Sequence, residues 1–146
     1  MKPLTTWACD VCGRLIEQPN DGLLVWSTDD ELVKSEFEIV HKGACDRERR
    51  KSSHGIGEVI GESGQAVLLA FLSNGPLLQQ RSSDRRVADL DEWTHYFRRL
   101  QTPWYEEAHR LFRADGVQEW LDGANEVWPY EPHHLREIVR KFGGDA

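Results

Sequence analysis

The sequence predicts an α+β protein, a small zinc-bound β-hairpin finger followed by a mostly α-helical domain. Two metal-ligand spacings, Cys9-x2-Cys12-Gly13 and His41-x3-Cys45, bracket a stretch that reads as two strands. Beyond about residue 65 the apolar residues recur at helical rather than strand spacing. The chain of 146 residues is long enough for one domain or two small ones. A Ser/Gly/Glu-rich stretch from Ser52 to Gly64 reads as a linker or wrapping loop and places a boundary near residue 55, with a finger over 1–55 and a helical domain over 56–146.

In the knuckle, a tight turn lets the Cys9 and Cys12 thiolates converge on one ion, and Gly13 supplies the positive φ that the turn wants. Asp21-Gly22 marks a turn, and Leu23 to Ser27 reads as a short strand. Thr28 to Ser35 is polar and loop-like, and Glu36 to His41 alternates as a second strand that delivers His41 at its end. In Asp46-Arg47-Glu48-Arg49-Arg50-Lys51 acids come early and bases late, which complements a helix dipole. A short helix is therefore expected to begin near Ala44 or Cys45, and its first turn would favour Cys45 as thiolate.

The candidate ligands are Cys9, Cys12, His41 and Cys45, a Cys3His set for one Zn2+, with Asp46 and His54 in reserve. Four protein ligands leave no open coordination position, so the zinc is expected to be structural. It would supply much of the folding free energy of a hairpin too small to fold alone. Knuckle, hairpin and a helix with a ligand in its first turn is the layout of treble-clef zinc fingers, and residues 7–51 resemble that group, or a zinc-ribbon-like finger. The order C-x2-C then H-x3-C is similar to the first half of a LIM-type module. The middle gap is longer than in LIM modules and no second finger follows, so the protein-docking role of LIM tandems does not carry over. At the matching positions the resemblance implies Cys9, Cys12, His41 and Cys45 as ligands. The whole chain also resembles small bacterial and phage zinc-knuckle proteins, which implies no activity.

Gln65 to Ser73 carries Val67, Leu68, Phe71 and Leu72, is closed by Asn74-Gly75-Pro76, and is expected to be the most buried helix. Asp89 caps a second helix, with Glu92 three residues on and a stripe of Leu90, Trp93, Phe97 and Leu100. Thr102 is expected to cap a third, with Pro103 at its first position and Trp104, Tyr105, Ala108, Leu111 and Phe112 buried as far as Asp115-Gly116. Val117, Trp120 and Leu121 suggest a shorter helix. Pro132 opens a last one, with Leu135, Ile138, Val139 and Phe142 on one side and Gly143-Gly144 at its end.

Function is narrowed mostly by exclusion. The longest apolar run, Ala66 to Leu72, covers seven residues, far short of the roughly 18–20 that cross a bilayer. The N-terminus has no apolar h-region, so a cytoplasmic protein away from membranes is expected. Lys and Arg number 18 against 25 Asp and Glu, a formal charge of −7, which argues against a protein that coats nucleic acid with its whole surface. Phosphate-loop, dinucleotide, zincin and nucleophile-elbow motifs are all absent from the sequence. Three Glu-x-x-His spacings, Glu92/His95, Glu106/His109 and Glu131/His134, match di-metal bundles. At about 100° per residue the first two fall away from the apolar stripes and are expected to face water.

A binding role remains. An adaptor or regulator acting through a protein partner or self-association fits the acidic helical part, and the aromatic, proline-rich stretch 127–132 offers Trp128 and Tyr130 as anchors. The alternative is a nucleic-acid-binding regulator using Lys42, Arg47, Arg49, Arg50 and Lys51, although residues 1–55 carry eight basic and ten acidic side chains. A metal-dependent hydrolase or nuclease is a lesser alternative, since no catalytic residues are identified.

Overall fold

The protein is described here by a computed structural model covering residues 2–46, 52–81, 86–123 and 128–144, with backbone only for 79–81. Strands β1 (Trp7–Ala8) and β2 (Leu15–Ile16) pair antiparallel, with Trp7 opposite Ile16, and the knuckle turns between them. Gly13 takes φ +77° there, and its N–H donates to the Cys9 carbonyl at 2.9 Å. A 3-10 turn over Pro19–Asp21 leads into β3 (Gly22–Thr28), which forms a hairpin with β4 (Lys34–His41). At the hairpin tip Asp29 Oδ1 accepts from the N–H groups of Glu31 and Val33, each at 2.9 Å, the Asx geometry that lets an aspartate organise a turn. Both expected strands are thus present, and His41 ends the second.

The stretch read as a linker is instead structured. Ser52–Gly55 forms β5, antiparallel to β3, giving a sheet of order β4-β3-β5. Ser-Ser-His-Gly shows no apolar alternation because β5 is an edge strand held by its backbone. A 3-10 turn over Ile56–Glu58 follows, with Ile56 and Val59 buried. Leu24, Val25 and Trp26 are buried in succession, since β3 is the central strand. Gly22 is closely packed: a Cβ there would sit 2.5 Å from Ile56 Cδ1 and 2.9 Å from Ile16 Cγ2, so these side chains would have to shift.

Helix α1 (Gly61–Leu69) starts earlier than expected and is not the most buried helix; only Gly64 and Leu68 of it are enclosed. Gly64 lets it lie against Val59, whose carbonyl carbon would be 2.2 Å from an added Cβ. Helix α2 (Leu90–Gln101) is capped as expected, with Asp89 Oδ1 accepting from Asp91 and Glu92 N–H at 2.9 and 3.2 Å. Its buried face is rotated from the apolar stripe: Trp93, Tyr96, Arg99 and Leu100 point inward, while Leu90 is 59% exposed. Helix α3 is only Tyr105–His109, and Trp104, at φ +73°, precedes it. Thr102 terminates α2, its N–H donating to the Arg98 carbonyl, and supplies no side-chain cap to α3. Helices α4 (Val117–Gly123) and α5 (Pro132–Phe142) fall where expected. Among the described residues no helix is long and apolar enough to cross a membrane.

Two clusters of buried side chains organise the chain. The larger runs from Trp7 to Leu100 and includes an aromatic stack in which Phe71 lies on Trp93 at 4.8 Å and meets Trp26 edge-on at 4.9 Å. The smaller gathers Tyr105, Ala108, Leu135 and Ile138. Arg99, 1% exposed, lies between them. Its Nη1 donates to both Asp10 oxygens at 2.9 Å, its Nη2 to the Ala8 carbonyl at 2.9 Å, and its Nε to Glu106 Oε2 at 2.8 Å. Burial by itself would favour a neutral guanidine, but the Glu106 and Asp10 carboxylates hold Arg99 firmly charged.

The Glu-x-x-His pairs are corrected accordingly. Glu106 is wholly buried rather than facing water, and it accepts from His109 Nε2 at 2.7 Å as well as from Arg99. Glu92 Oε1 accepts from the Phe37 N–H at 3.2 Å. Placing polar residues outward by the helical wheel failed because an inward arginine drew a carboxylate in with it. His95 Nδ1 and the Tyr105 hydroxyl share a hydrogen bond of 2.7 Å, and burial, then His109 and Arg99, push the His95 pKa down to about 4.

Two outcomes follow. Arg99→Met should cost roughly 3–5 kcal/mol in denaturant unfolding, because two carboxylates lose their buried partner. An unfolded histidine takes up its proton near pH 6.5, whereas folded His95 resists protonation down to about pH 4. Its contribution to stability is therefore present above pH 6.5 and lost as pH falls towards 4. The melting temperature of the wild type should drop more steeply between neutral and mildly acidic pH than that of His95→Gln.

Candidate metal centre

Two pieces of chain, 29 residues apart at Cys12 and His41, bring four donors together. The knuckle between β1 and β2 presents Cys9 and Cys12, and the end of β4 presents His41. A turn over Lys42–Ala44 then carries Cys45 back, its N–H bonded to the His41 carbonyl at 3.3 Å. No helix starts at Ala44 or Cys45: Asp46 is irregular, and Arg47, Arg49, Arg50 and Lys51 lie outside the described residues. Asp10 fastens the two halves. Its N–H donates to the Ile39 carbonyl at 2.8 Å, and its Oδ2 accepts from the Ile39 N–H at 2.7 Å.

The donor atoms of Cys9, Cys12, His41 and Cys45 all lie within 4.8 Å of one another. His41 Nδ1 is 3.4 Å from Cys12 Sγ and 3.8 Å from Cys45 Sγ. A tetrahedral ion with zinc-like bond lengths has N–S edges of about 3.6 Å, so the spacing fits such an ion. His41 Nε2 donates to the Leu15 carbonyl at 3.1 Å, leaving the Nδ1 lone pair for a metal. Among the described residues the cluster takes in neither Asp46 nor His54. His54 is instead bonded to Glu58 at 2.8 Å.

The acidity of the three thiols tells the same story. Burial pushes Cys9 up, but the N–H groups of Cys12, Val11 and His41 outweigh it, and its net pKa is lowered. Cys12 is lowered chiefly by the Arg14 N–H, and the Arg14 guanidinium is itself held charged by Cys12. Cys45 is pushed up to about 11, first by burial and then by Cys9 and Cys12. Backbone amides and Arg14 favour thiolates at Cys9 and Cys12, and a cation among the donors would favour the third. Cys9 and Cys45 are buried while Cys12 is exposed, and His41 and Cys45 border a cleft of about 430 Å³ that Arg14, Asp21 and Lys42 also line.

The remaining sequence candidates separate. Lys42 is exposed beside His41. Trp128 is 61% exposed, whereas Tyr130 is partly buried against the smaller cluster, with the Arg98 guanidinium 4.1 Å over its ring. Asp10, Arg14 and Arg99 escaped sequence reading: their roles depend on partners across the fold, which residue spacing does not encode. No protein-family model, curated protein or solved structure matches the chain.

The full chain should take up one metal ion and release protons as it does, the Cys45 proton first among them, so that affinity rises with pH. Cys45→Ser should lower the melting temperature and collapse the dispersed amide signals of β3 and β4. An unchanged melt with those signals intact would refute the assignment.

Proposed function

We propose that the protein is a non-enzymatic zinc-binding adaptor or regulator acting through protein contacts, with a Cys3His zinc centre holding its N-terminal part in shape. The closed donor set carries this reading. Three thiolates and one imidazole suit zinc, and among the described residues no carboxylate or further histidine joins them to activate a water. Knuckle, hairpin and returning Cys45 support a treble-clef-like or zinc-ribbon-like finger.

Support for protein contacts comes from the surface. A formal charge of −7 disfavours a polyanion as partner. Trp128 stands 61% exposed, and Leu69, Leu72, Leu77 and Leu78 are between 40% and 90% exposed within ten residues of chain. Exposed apolar groups of this kind mark interaction surfaces, and tryptophan is favoured as an anchor.

Native mass spectrometry of the full chain at low salt should show one zinc per chain. Trp128→Ala should weaken concentration-dependent association in sedimentation without changing the melting temperature. Loss of folding in that variant would assign Trp128 to the core. Nucleic-acid binding that falls steeply with salt would favour the alternative partner and the basic residues from Lys42 to Lys51.

A further inference from the structure

At the end of β4 remote from His41, roughly 20 Å away at about 3.3 Å per strand residue, two cations share one cleft. Residues 86–88 lie along β4: Lys34 N–H donates to the Arg86 carbonyl at 3.0 Å, Ala88 N–H donates to the Lys34 carbonyl at 2.9 Å, and Lys34 bridges Val87 in parallel. This edge pairing sets the Arg86 side chain beside that of Lys34. With Asn74 and His54 they form the polar side of a cleft of about 320 Å³, whose apolar side includes Trp26, Val67 and Phe71. That is the size of a small-molecule site.

The polar side is uncompensated. Among the described residues, Arg86 Nε and Nη1 and Asn74 Nδ2 are buried without a hydrogen-bond partner, and no carboxylate lines the cleft. The Lys34 ammonium, 5.6 Å above the Phe71 ring, has its pKa lowered by burial and by Arg86. A buried donor left without a partner is costly. It is unexpected in a chain of net charge −7, unless something negative belongs there.

We propose that this cleft binds a small organic phosphate monoester, its phosphate on Arg86, Lys34 and Asn74 and its flat apolar body against Val67 and Phe71. Two positive charges match the dianion, and the three orphaned nitrogen donors match its three terminal oxygens. The apolar wall gives an organic body an advantage over the bare anion.

The test uses the metal-loaded full chain, titrated separately with phenyl phosphate, inorganic phosphate and benzoate and followed by NMR. Phenyl phosphate should saturably shift the Trp26 indole and Asn74 side-chain amide signals, and should bind at least about tenfold more tightly than inorganic phosphate or benzoate. Arg86→Gln and Lys34→Met should each weaken it about tenfold or more. Equal binding of inorganic phosphate would overturn the role of the apolar wall, and equal binding of benzoate would overturn the phosphate assignment. The absence of saturable shifts at Trp26 and Asn74 in the wild type would overturn the site itself, whatever happens to the folding of the variants.

Discussion

The Arg99 guanidinium is the point through which the parts of this fold constrain one another. One face of it grips Asp10, which in turn is bonded across the knuckle to Ile39 of β4, and another grips Glu106 at the start of α3. Trp7 adds a bond in the opposite sense, its indole N–H donating to the Arg99 carbonyl at 3.0 Å. Knuckle, hairpin, α2 and α3 therefore have one mutual arrangement in which Arg99, Asp10 and Glu106 are all paired. A buried triad of this kind contributes little net stability, because desolvation offsets most of the attraction. It discriminates instead: an arrangement that leaves Arg99, Asp10 or Glu106 unpaired is strongly disfavoured, whereas apolar contacts tolerate sliding.

Asp10 ties that constraint to the metal centre. It sits between Cys9 and Cys12 in sequence, yet its carboxylate serves Ile39, Tyr96 and Arg99. The knuckle is thus oriented from outside by hydrogen bonds, and inside it three thiols and His41 lie close enough to bind a metal ion. The β1–β2 pair is two residues long on each side, too short to hold a turn by itself, and it is stabilised by those hydrogen bonds.

Much of the donor set was legible because metal chemistry imposes short-range spacing. Cys9 and Cys12 share a turn, and His41 and Cys45 share another, so each half is visible locally. Caps were legible for the same reason, as at Asp89 and Pro132. What stayed hidden involved partners distant in sequence. Ser52–Gly55 carries no strand pattern, since its backbone rather than its side chains joins the sheet. Glu106 looked like a solvent-facing residue and Arg99 drew no notice, because helical periodicity ranks residues by polarity and cannot see that two opposite charges 2.8 Å apart can be buried together. Thr102-Pro103 looked like a helix start, yet the left-handed Trp104 delays the start of α3 to Tyr105.

The separation between Asp10 and Arg99 has a consequence for synthesis on the ribosome. Their bond joins residues 89 apart, and at ribosomal speeds of about 5–20 residues per second Arg99 follows Asp10 by roughly 5–20 seconds. The knuckle and hairpin emerge long before their anchoring guanidinium exists. During that interval the N-terminal part lacks the guanidinium that fixes its orientation, so docking of the helices is a late step of assembly.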